Sequence, residues 1–182
     1  MRLYTRTGDA GETGLPGGAR VPKDDPRVAV CGDLDEVNCA IGAAASLCSD
    51  EEIAADLAAL QTGLFSLAAE IAEGPKGASA ARISCEEVAQ LEARIDRWQS
   101  VLAPLRSFIM PGGCPAAAAA HVARANCRRA ERAVVSLARC VPVNPHVLAY
   151  LNRASDLLFV LARAANARAG VADVVWTGNR TE

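Results

Sequence analysis

Residues 49 to 71 read SDEEIAADLAALQTGLFSLAAEI and decide the fold class. Apolar side chains recur in this stretch at intervals of three and four residues, which places them on one stripe of an α-helix. Ser49 followed three residues later by Glu52 matches a capping box, so the pattern predicts a helix that starts near Ser49 and ends before Gly74-Pro75. The stripe consists of Ile53, Leu57, Leu60, Leu64, Leu67 and Ile71.

The same periodicity predicts four more helices on either side of this stretch. Their expected bounds are about 26 to 47, Ser84 to Pro104, Pro115 to about 140, and Asn144 to about Gly170. Ser84 and Glu87 match a second capping box, whereas the Gly-, Ala- and Ser-rich segment 73 to 82 is typical of a surface loop. Five helices with short connections predict an all-α, up-and-down bundle. A doubly wound sheet is the alternative, but it needs strands between the helices that the pattern does not show.

Length and composition agree with one helical domain. A chain of 182 residues is long enough to bury a core of its own, and its 4% aromatic content favours packed helices over a sheet rich in aromatic residues. We therefore expect a single domain over residues 1 to 182, made of an N-terminal loop (1 to 25), a helical bundle (26 to 170) and a C-terminal tail (171 to 182).

Charge and cysteine content narrow the function class and the compartment. The formal net charge of −2 provides no positive field for nucleic acid, so nucleic-acid binding is not expected. The seven cysteines are odd in number and include no Cys-x-x-Cys pair, which is typical of reduced thiols. The chain starts without the apolar stretch of a signal peptide and has no apolar run of ~20 residues, so we expect a cytoplasmic protein without a membrane span.

The first 22 residues contain five glycines and three threonines, a composition that cannot sustain a helix. Glycines expose backbone amides and threonines add hydroxyl groups, so this loop is suited to binding a polyphosphate together with Lys23. It is not a P-loop, because Leu15 stands where that motif requires lysine. A flexible tail is the alternative interpretation.

The predicted fourth helix carries a charged face. Successive residues in a helix are 100° apart, so its polar side chains fall within about 100° of arc, with Arg129 beside them. A solvated surface is the simple explanation, but a second polar strip at Asn152, Asp156 and Arg163 in the apolar fifth helix favours a functional role. The charged face consists of His121, Arg124, Arg128, Glu131 and Arg132.

Two further polar groups need partners. Asp35 in the first helix requires a cation if it is buried, and Arg124 is the candidate; an ion pair that only fixes helix register is the alternative. His121 and His146 are the only histidines, and no Ser-His-Asp set or metal-spaced cluster accompanies them. We expect His121 to be a histidine with satisfied hydrogen bonds at a helix interface, and acid–base catalysis is weakly supported.

Four blocks of this sequence, taken in order, resemble the PduO-type ATP:cob(I)alamin adenosyltransferases. The similarity extends over nearly the whole chain. The blocks are YTRTGDAGET (4 to 13), KDDPRV (23 to 28) with GDLDEVN (32 to 38), FIMPGG (108 to 113) with RANCRRAER (124 to 132), and YLNRASD (150 to 156).

The resemblance implies a homotrimer of five-helix bundles whose active sites lie between subunits. Each site would transfer the adenosyl group of ATP to the cobalt of reduced cobalamin, with Mg²⁺ bridging the phosphates near Asn152. The ATP-binding residues it implies are Thr5, Arg6, Thr7, Gly8, Thr13, Gly14 and Lys23 from one side, and Arg128, Arg129, Ala130, Glu131, Arg132 and Asn152 from the other.

The resemblance also implies how cobalamin is held. Phe108 would close the lower face of the corrin, Asp35 and Arg124 would form the ion pair that shapes its pocket, and Lys23 and Arg128 would stabilise the leaving triphosphate. A cobalamin reductase and an adenosylcobalamin-dependent enzyme are the implied partners.

Two other function classes stay open at this point. The pocket could belong to a chaperone that binds adenosylcobalamin and delivers it to a mutase. Alternatively, the arginine stripe could be the seam of a helical interaction protein.

Overall fold

The structure is a computed structural model that describes residue 4, residues 6 to 74 and residues 81 to 177. It contains five α-helices, as predicted. Their bounds are α1 Pro26–Ser46, α2 Glu51–Glu73, α3 Cys85–Val101, α4 Pro115–Leu137 and α5 Pro145–Arg168. Most of the predicted loop 73 to 82 lies outside the described residues. Within the described ranges, no helix is both long and apolar enough to cross a membrane.

Helix α4 lies at the centre of the packing, between α1 and α5, while α2 packs on α1 and α3 packs on α5. The apolar stripe of α2 is buried throughout, from Ile53 to Ile71, as its spacing predicts. Alanines on α4, such as Ala117, Ala123 and Ala130, are fully buried. Their small side chains let the neighbouring helices approach closely, which explains the heavy use of alanine in the sequence.

The start of α2 differs from the prediction by one residue. Asp50, not Ser49, is the N-cap, and its carboxylate accepts hydrogen bonds from the backbone N–H groups of Glu52 and Ile53, both at 3.0 Å. A carboxylate is also favoured at the positive end of the helix dipole. The second predicted capping box is confirmed, since Ser84 and Glu87 bond reciprocally at the start of α3.

Two buried polar groups tie the helices together. The carboxylate of Glu70 in α2 accepts hydrogen bonds from the backbone of Arg82 and Ile83 and from the side chain of Asn144, the N-cap of α5. Tyr150 of α5 fills the space left by Gly63 of α2, where a Cβ atom would lie 1.8 Å from the phenol oxygen. Burial raises the pKa of Tyr150 to about 12.

The N-terminal region is more ordered than the predicted loop. Strands β1 (Glu12–Gly14) and β2 (Arg20–Pro22) form an antiparallel ribbon, with Thr13 opposite Val21. Gly17 and Gly18 have φ angles of 89° and 86°, which L-residues with side chains rarely adopt, and they form the turn between the strands. The glycines predicted to keep this segment irregular therefore permit a hairpin instead.

Candidate functional site

The hairpin brings a lysine to a glycine. Lys23 directly follows β2, and its backbone N–H donates to Gly11 O at 2.8 Å. Its side-chain Nζ lies 3.4 Å from the point where a Cβ atom of residue 8 would stand, so Gly8 leaves the space that the ammonium group occupies. Lys23 is exposed and makes no ion pair within the described ranges. An uncompensated ammonium beside glycine backbone is suited to binding an anion.

The other N-terminal residues predicted to bind ATP lie in different kinds of local structure. Arg6 has a φ of 63°, the one non-glycine residue of the described chain in that region, and Thr13 and Gly14 lie in β1 rather than in a loop. The Thr7 carbonyl accepts a hydrogen bond from Arg20 Nη2 at 2.7 Å, and Arg20 also pairs with Glu12. These contacts connect the start of the chain to the ribbon. Thr5 lies outside the described residues.

The arginines of α4 divide into free and paired groups. Arg129 forms ion pairs with Asp33 and Glu36 of α1, which raise the pKa of its guanidinium further, so its main contacts are structural. Arg128 and Arg132 are exposed and have no ion pair among the described residues. Ala130 is fully buried between them. Two uncompensated guanidinium groups therefore lie on the outer face of α4.

Asn152 and Glu131 join α5 to this face. Asn152 Nδ2 donates to Glu131 Oε1 at 3.3 Å, and Arg153 Nη1 donates to Asn152 Oδ1 at 3.1 Å. The amide and carboxylate oxygens are hard ligands of the kind that Mg²⁺ takes alongside phosphate oxygens. In the described part of the chain, no group of three metal-binding side chains occurs, so these residues fit only a metal that brings other ligands with it.

The hairpin and the α4 arginines do not meet within one chain. In the described part of the chain, no hydrogen bond or ion pair links residue 6 or residues 8 to 24 to α4 or α5. Strands β1 and β2 pair with each other, and neither packs extensively on a helix. The residues predicted for an ATP site are therefore present as two separate halves.

Two of the residues predicted to bind cobalamin, Phe108 and Arg124, line a large open groove. It has a volume of about 1390 Å³ and is lined by residues 105 to 109, Arg124, Phe159 and residues 175 to 177; we call it the aromatic groove. Phe108 is 80% exposed and Trp176 is also exposed, although aromatic rings usually pack inside. Exposed aromatic rings around a groove are typical of a site that takes a large, flat, partly apolar ligand.

Backbone pairing between distant segments builds the rim of the groove. Ile109 and Val175 form an antiparallel bridge, Met110 N donates to Val174 O, and Trp176 N donates to Phe108 O, both at 2.8 Å. The C-terminal segment therefore holds the loop that carries Phe108.

A buried polar network anchors both segments to α5. Arg163 is 7% exposed; its Nε donates to Asp173 at 2.7 Å, and its Nη2 donates to Ala103 O at 2.8 Å. Asn166 donates to Gly112 O at 3.1 Å and accepts from Cys114 N at 2.9 Å. Arg163 was predicted to be part of a polar strip, whereas Asn166 and Asp173 were not predicted to contribute to the site. An Asn and an Arg three residues apart in an otherwise apolar helix were the available signal.

The positions of Asp35 and Arg124 differ from the expected ion pair. Asp35 is exposed and, in the part of the chain described, has no ion-pair partner, whereas Arg124 is half-buried with an Nε atom that makes no hydrogen bond. The Arg124 guanidinium lies over the Phe159 ring, 5.9 Å from its centroid. Within a single chain the two residues do not pair, because Asp35 faces outward from α1 while Arg124 faces the groove.

His121 lies beneath the groove, one turn before Arg124. It is 5% exposed, and its ring lies 6.0 Å from that of Phe159. The expectation of a satisfied histidine is wrong, since neither ring nitrogen has a hydrogen-bond partner in the described structure. Burial, reinforced by the Arg124 charge and opposed by Asp173, lowers the pKa of His121. A neutral imidazole at this depth is suited to packing rather than to proton transfer.

Comparison with known proteins gives a consistent picture. The family model for cobalamin adenosyltransferase matches residues 3 to 165. The corrinoid adenosyltransferase PduO of Salmonella typhimurium is 46% identical over 177 residues, covering 96% of this chain and 53% of that protein. A corrinoid adenosyltransferase of Bacillus subtilis is 42% identical, covering 96% of this chain and 91% of its own length. The chain thus spans about half the length of the Salmonella relative.

Solved structures agree with these relatives. A variant PduO-type ATP:corrinoid adenosyltransferase from Lactobacillus reuteri, complexed with cobalamin and ATP, superposes with a TM-score of 0.90 at 34% identity. It covers 97% of this chain and 100% of that one. A second variant of the same enzyme, complexed with ATP, has a TM-score of 0.89 at 35% identity, covering 96% and 99%.

Proposed function

This chain belongs to the cobalamin adenosyltransferase family, and from that membership we propose that it transfers the 5′-deoxyadenosyl group of ATP to the cobalt of cob(I)alamin. The products are adenosylcobalamin and triphosphate. The observation that carries the proposal is the aromatic groove, which is wide enough for a corrin and lies in a fold that superposes on a solved complex with cobalamin and ATP. Residues 1 to 182 form a single domain in this proposal.

The groove binds the corrin ring. Phe108 packs against the lower face of the macrocycle, because its ring is exposed and its backbone is held by Trp176. A ring in that position excludes water from one side of the cobalt. Arg124 binds at the edge, where its unpaired Nε and its position over Phe159 make it available to an amide or carboxylate partner.

The N-terminal segment and the α4 face bind ATP. The triphosphate lies between Lys23 with the backbone around Gly8 on one side and Arg128 with Arg132 on the other, since these cations have no carboxylate partner among the described residues. The remaining contacts in the proposal come from Thr5, Arg6, Thr7, Thr13, Gly14, Arg129, Ala130, Glu131 and Asn152.

A homotrimer supplies both halves of the ATP site. A single chain keeps the ribbon and the α4 arginines apart, so a neighbouring subunit has to provide one of them. The same arrangement would give the exposed Asp35 and the unpaired Arg124 partners across the subunit boundary. Cyclic trimers have heterologous interfaces, in which one surface patch meets a different patch of the next subunit.

Mg²⁺ enters this site with the phosphates. Asn152 and Glu131 provide the nearby oxygen atoms, which suits an ion that takes one or two protein ligands and several phosphate or water oxygens. Its contribution when bound is to neutralise phosphate charge.

The reaction needs positioning and charge stabilisation rather than acid–base groups. A cobalt electron pair forms the new bond to C5′, and the C5′–O bond breaks with its electrons on the triphosphate. Lys23 and Arg128 stabilise that developing charge, which is worth several kcal/mol in pre-organised sites. No proton moves in this step, which agrees with a neutral, buried His121.

The direct test mixes the protein with ATP, Mg²⁺ and chemically reduced cobalamin and follows the corrin spectrum. We expect the spectrum of adenosylcobalamin and an equal amount of triphosphate. No product from protein that has bound both ligands would overturn the proposal. Product that forms once and stays bound until an acceptor enzyme is added would favour the delivery chaperone. A cytoplasmic location, a reductase partner and an adenosylcobalamin-dependent acceptor stay predictions.

A further inference from the structure

A second cavity lies directly behind the loop that carries Phe108. Its volume is about 450 Å³, within the range of ligand pockets, and we call it the rear cavity. Residues 105 to 107, Ile109 and Val175 line both the rear cavity and the aromatic groove. The two spaces therefore share one wall, formed by these residues.

The lining of the rear cavity is mainly apolar. Leu102, Pro104, Ile109 and Val171 contribute aliphatic surface. Its polar floor is already neutralised, because Arg163 pairs with Asp173 at 2.7 Å. An apolar space with a neutral floor is suited to an uncharged aromatic group.

Arg106 is the cation on the shared wall. Three arginines line the two spaces; Arg163 pairs with Asp173, and Arg124 lies over the Phe159 ring. Arg106 is exposed and, within the described ranges, has neither an ion pair nor an aromatic contact. Ser107, the next residue in the chain, also lines both spaces and carries a hydroxyl. A guanidinium and a hydroxyl side by side are suited to a singly charged phosphodiester.

We propose that Arg106 binds the phosphodiester of the cobalamin nucleotide tail and that the rear cavity takes the benzimidazole at the end of that tail. The proposal rests on the proposed function and adds a contact that selects complete cobalamin over corrinoids without a nucleotide. Corrin and tail are joined covalently, so a large groove connected by one wall to a smaller apolar cavity matches the two parts of the ligand. The phosphate lies between those parts in the ligand, as Arg106 lies between the two spaces.

The test compares cobalamin with cobinamide, which has the corrin ring but lacks the nucleotide. Affinities of the Co(II) forms are measured by spectral titration in the presence of ATP. For Arg106→Ala we expect the Kd of cobalamin to rise about tenfold and that of cobinamide to stay within about twofold, because one exposed charge-assisted hydrogen bond is lost. Arg106→Lys should keep part of the affinity.

Two controls separate this effect from a general loss of charge or fold. Arg139→Ala removes an exposed arginine that lines neither space and should leave both affinities unchanged. Ala167→Phe fills the rear cavity from the exposed side of α5 and should weaken cobalamin alone, whereas Ala169→Phe, outside the cavity, should not. Circular dichroism checks the fold of each variant.

Three results would overturn the inference: equal weakening of both corrinoids, no weakening of either, or a raised KM for ATP as the main effect of Arg106→Ala. Because affinity is titrated directly, the result does not depend on turnover. Wild-type protein that adenosylates neither corrinoid would count against the proposed function instead. Turnover of both corrinoids without selectivity at Arg106 would remove only the rear-cavity assignment.

Discussion

The N-terminal ribbon and the aromatic groove are the two regions to which we assign substrate binding, and they are built in opposite ways. The lining of the groove comes from one chain, in which α4, α5, the Phe108 loop and the C-terminal segment all contribute, and a buried network anchors the rim. Only the proposed partner of Arg124 comes from a neighbouring subunit. The ribbon is held by its own pairing and extends from the bundle with few contacts to it. Folding of one chain forms most of the groove, whereas the proposed ATP site also needs a neighbouring chain.

This difference teaches which substrate depends on assembly. In the proposed function, one subunit provides most of the corrin groove, whereas the triphosphate binds cations from two subunits. Oligomerisation in this proposal therefore controls ATP binding more strongly than corrin binding. Four experiments test that division, and they follow in order of expected effect.

Removing the ribbon cation should have the largest effect. Lys23→Ala is expected to lower kcat/KM, and the fall should correspond to a loss of roughly 2 to 4 kcal/mol of transition-state stabilisation, as for other lost oxyanion donors. Corrin affinity should not change, because Lys23 lies outside the groove. Steady-state kinetics and a corrin titration check the two statements. If Lys23→Ala weakened corrin binding as much as turnover, the two regions would not be separate.

Breaking the buried network should lower the stability of the fold and the affinity for the corrin, but not the affinity for ATP. Asp173→Ala leaves the guanidinium of Arg163 buried without its partner, which costs about 3 kcal/mol of unfolding free energy. Corrin affinity should also fall, since the network anchors the segment that holds Phe108, while ATP affinity persists. Denaturant unfolding and ligand titrations measure both. Asp156→Ala is the matched control, because Asp156 is exposed and its ion pair with Arg153 is long, at 4.0 Å.

Mixing two inactive variants should restore activity if the ATP site is shared. In a 1:1 mixture of Lys23→Ala and Arg128→Ala whose subunits exchange at random, about a quarter of all sites combine an intact Lys23 from one subunit with an intact Arg128 from the next. We expect activity at least about tenfold above either parent after the subunits are exchanged. Mixtures no more active than their parents would mean that each chain supplies both residues to its own site.

The smallest effect is a pH dependence beneath the groove. Burial lowers the pKa of His121, so the unfolded chain binds this proton more readily than the folded one. The contribution of the buried, neutral His121 to the unfolding free energy is fully present above the unfolded pKa of about 6.5. It is lost as the pH falls through that value towards the lower folded pKa. His121→Phe should make the fall in Tm below pH 6.5 shallower. A Tm slope in His121→Phe equal to that of the wild type would contradict this assignment.

Much of the bundle follows from local pattern. The stripes of α1 to α5 repeat every three to four residues, and the capping and proline signals at Ser84, Pro115 and Asn144 mark their starts. The predicted N-cap of α2 was one residue too early because Ser49 and Asp50 are both good N-cap residues. Only the contacts of the folded chain distinguish between them. The ribbon was missed because strands of three residues are too short for an alternating pattern.

The site was harder to derive because it depends on contacts between distant segments. Asn166 and Asp173 act through backbone groups more than 50 residues away or through a buried guanidinium, and no local spacing reveals such partners. Asp35 and Arg124 share no ion pair in one chain for a related reason. The sequence places charges on helix faces, but it does not state which subunit lies opposite each face.

The backbone hydrogen bond between Trp176 and Phe108 has a practical consequence for spectroscopy. The chain has two tryptophans: Trp98 is buried in the core, and Trp176 is exposed at the groove. A soluble quencher such as acrylamide should therefore quench the emission of Trp176 before that of Trp98, and a ligand bound in the groove should protect Trp176 from the quencher. The fluorescence of Trp176 thus reports groove occupancy without a label, because the backbone hydrogen bond holds Trp176 beside Phe108.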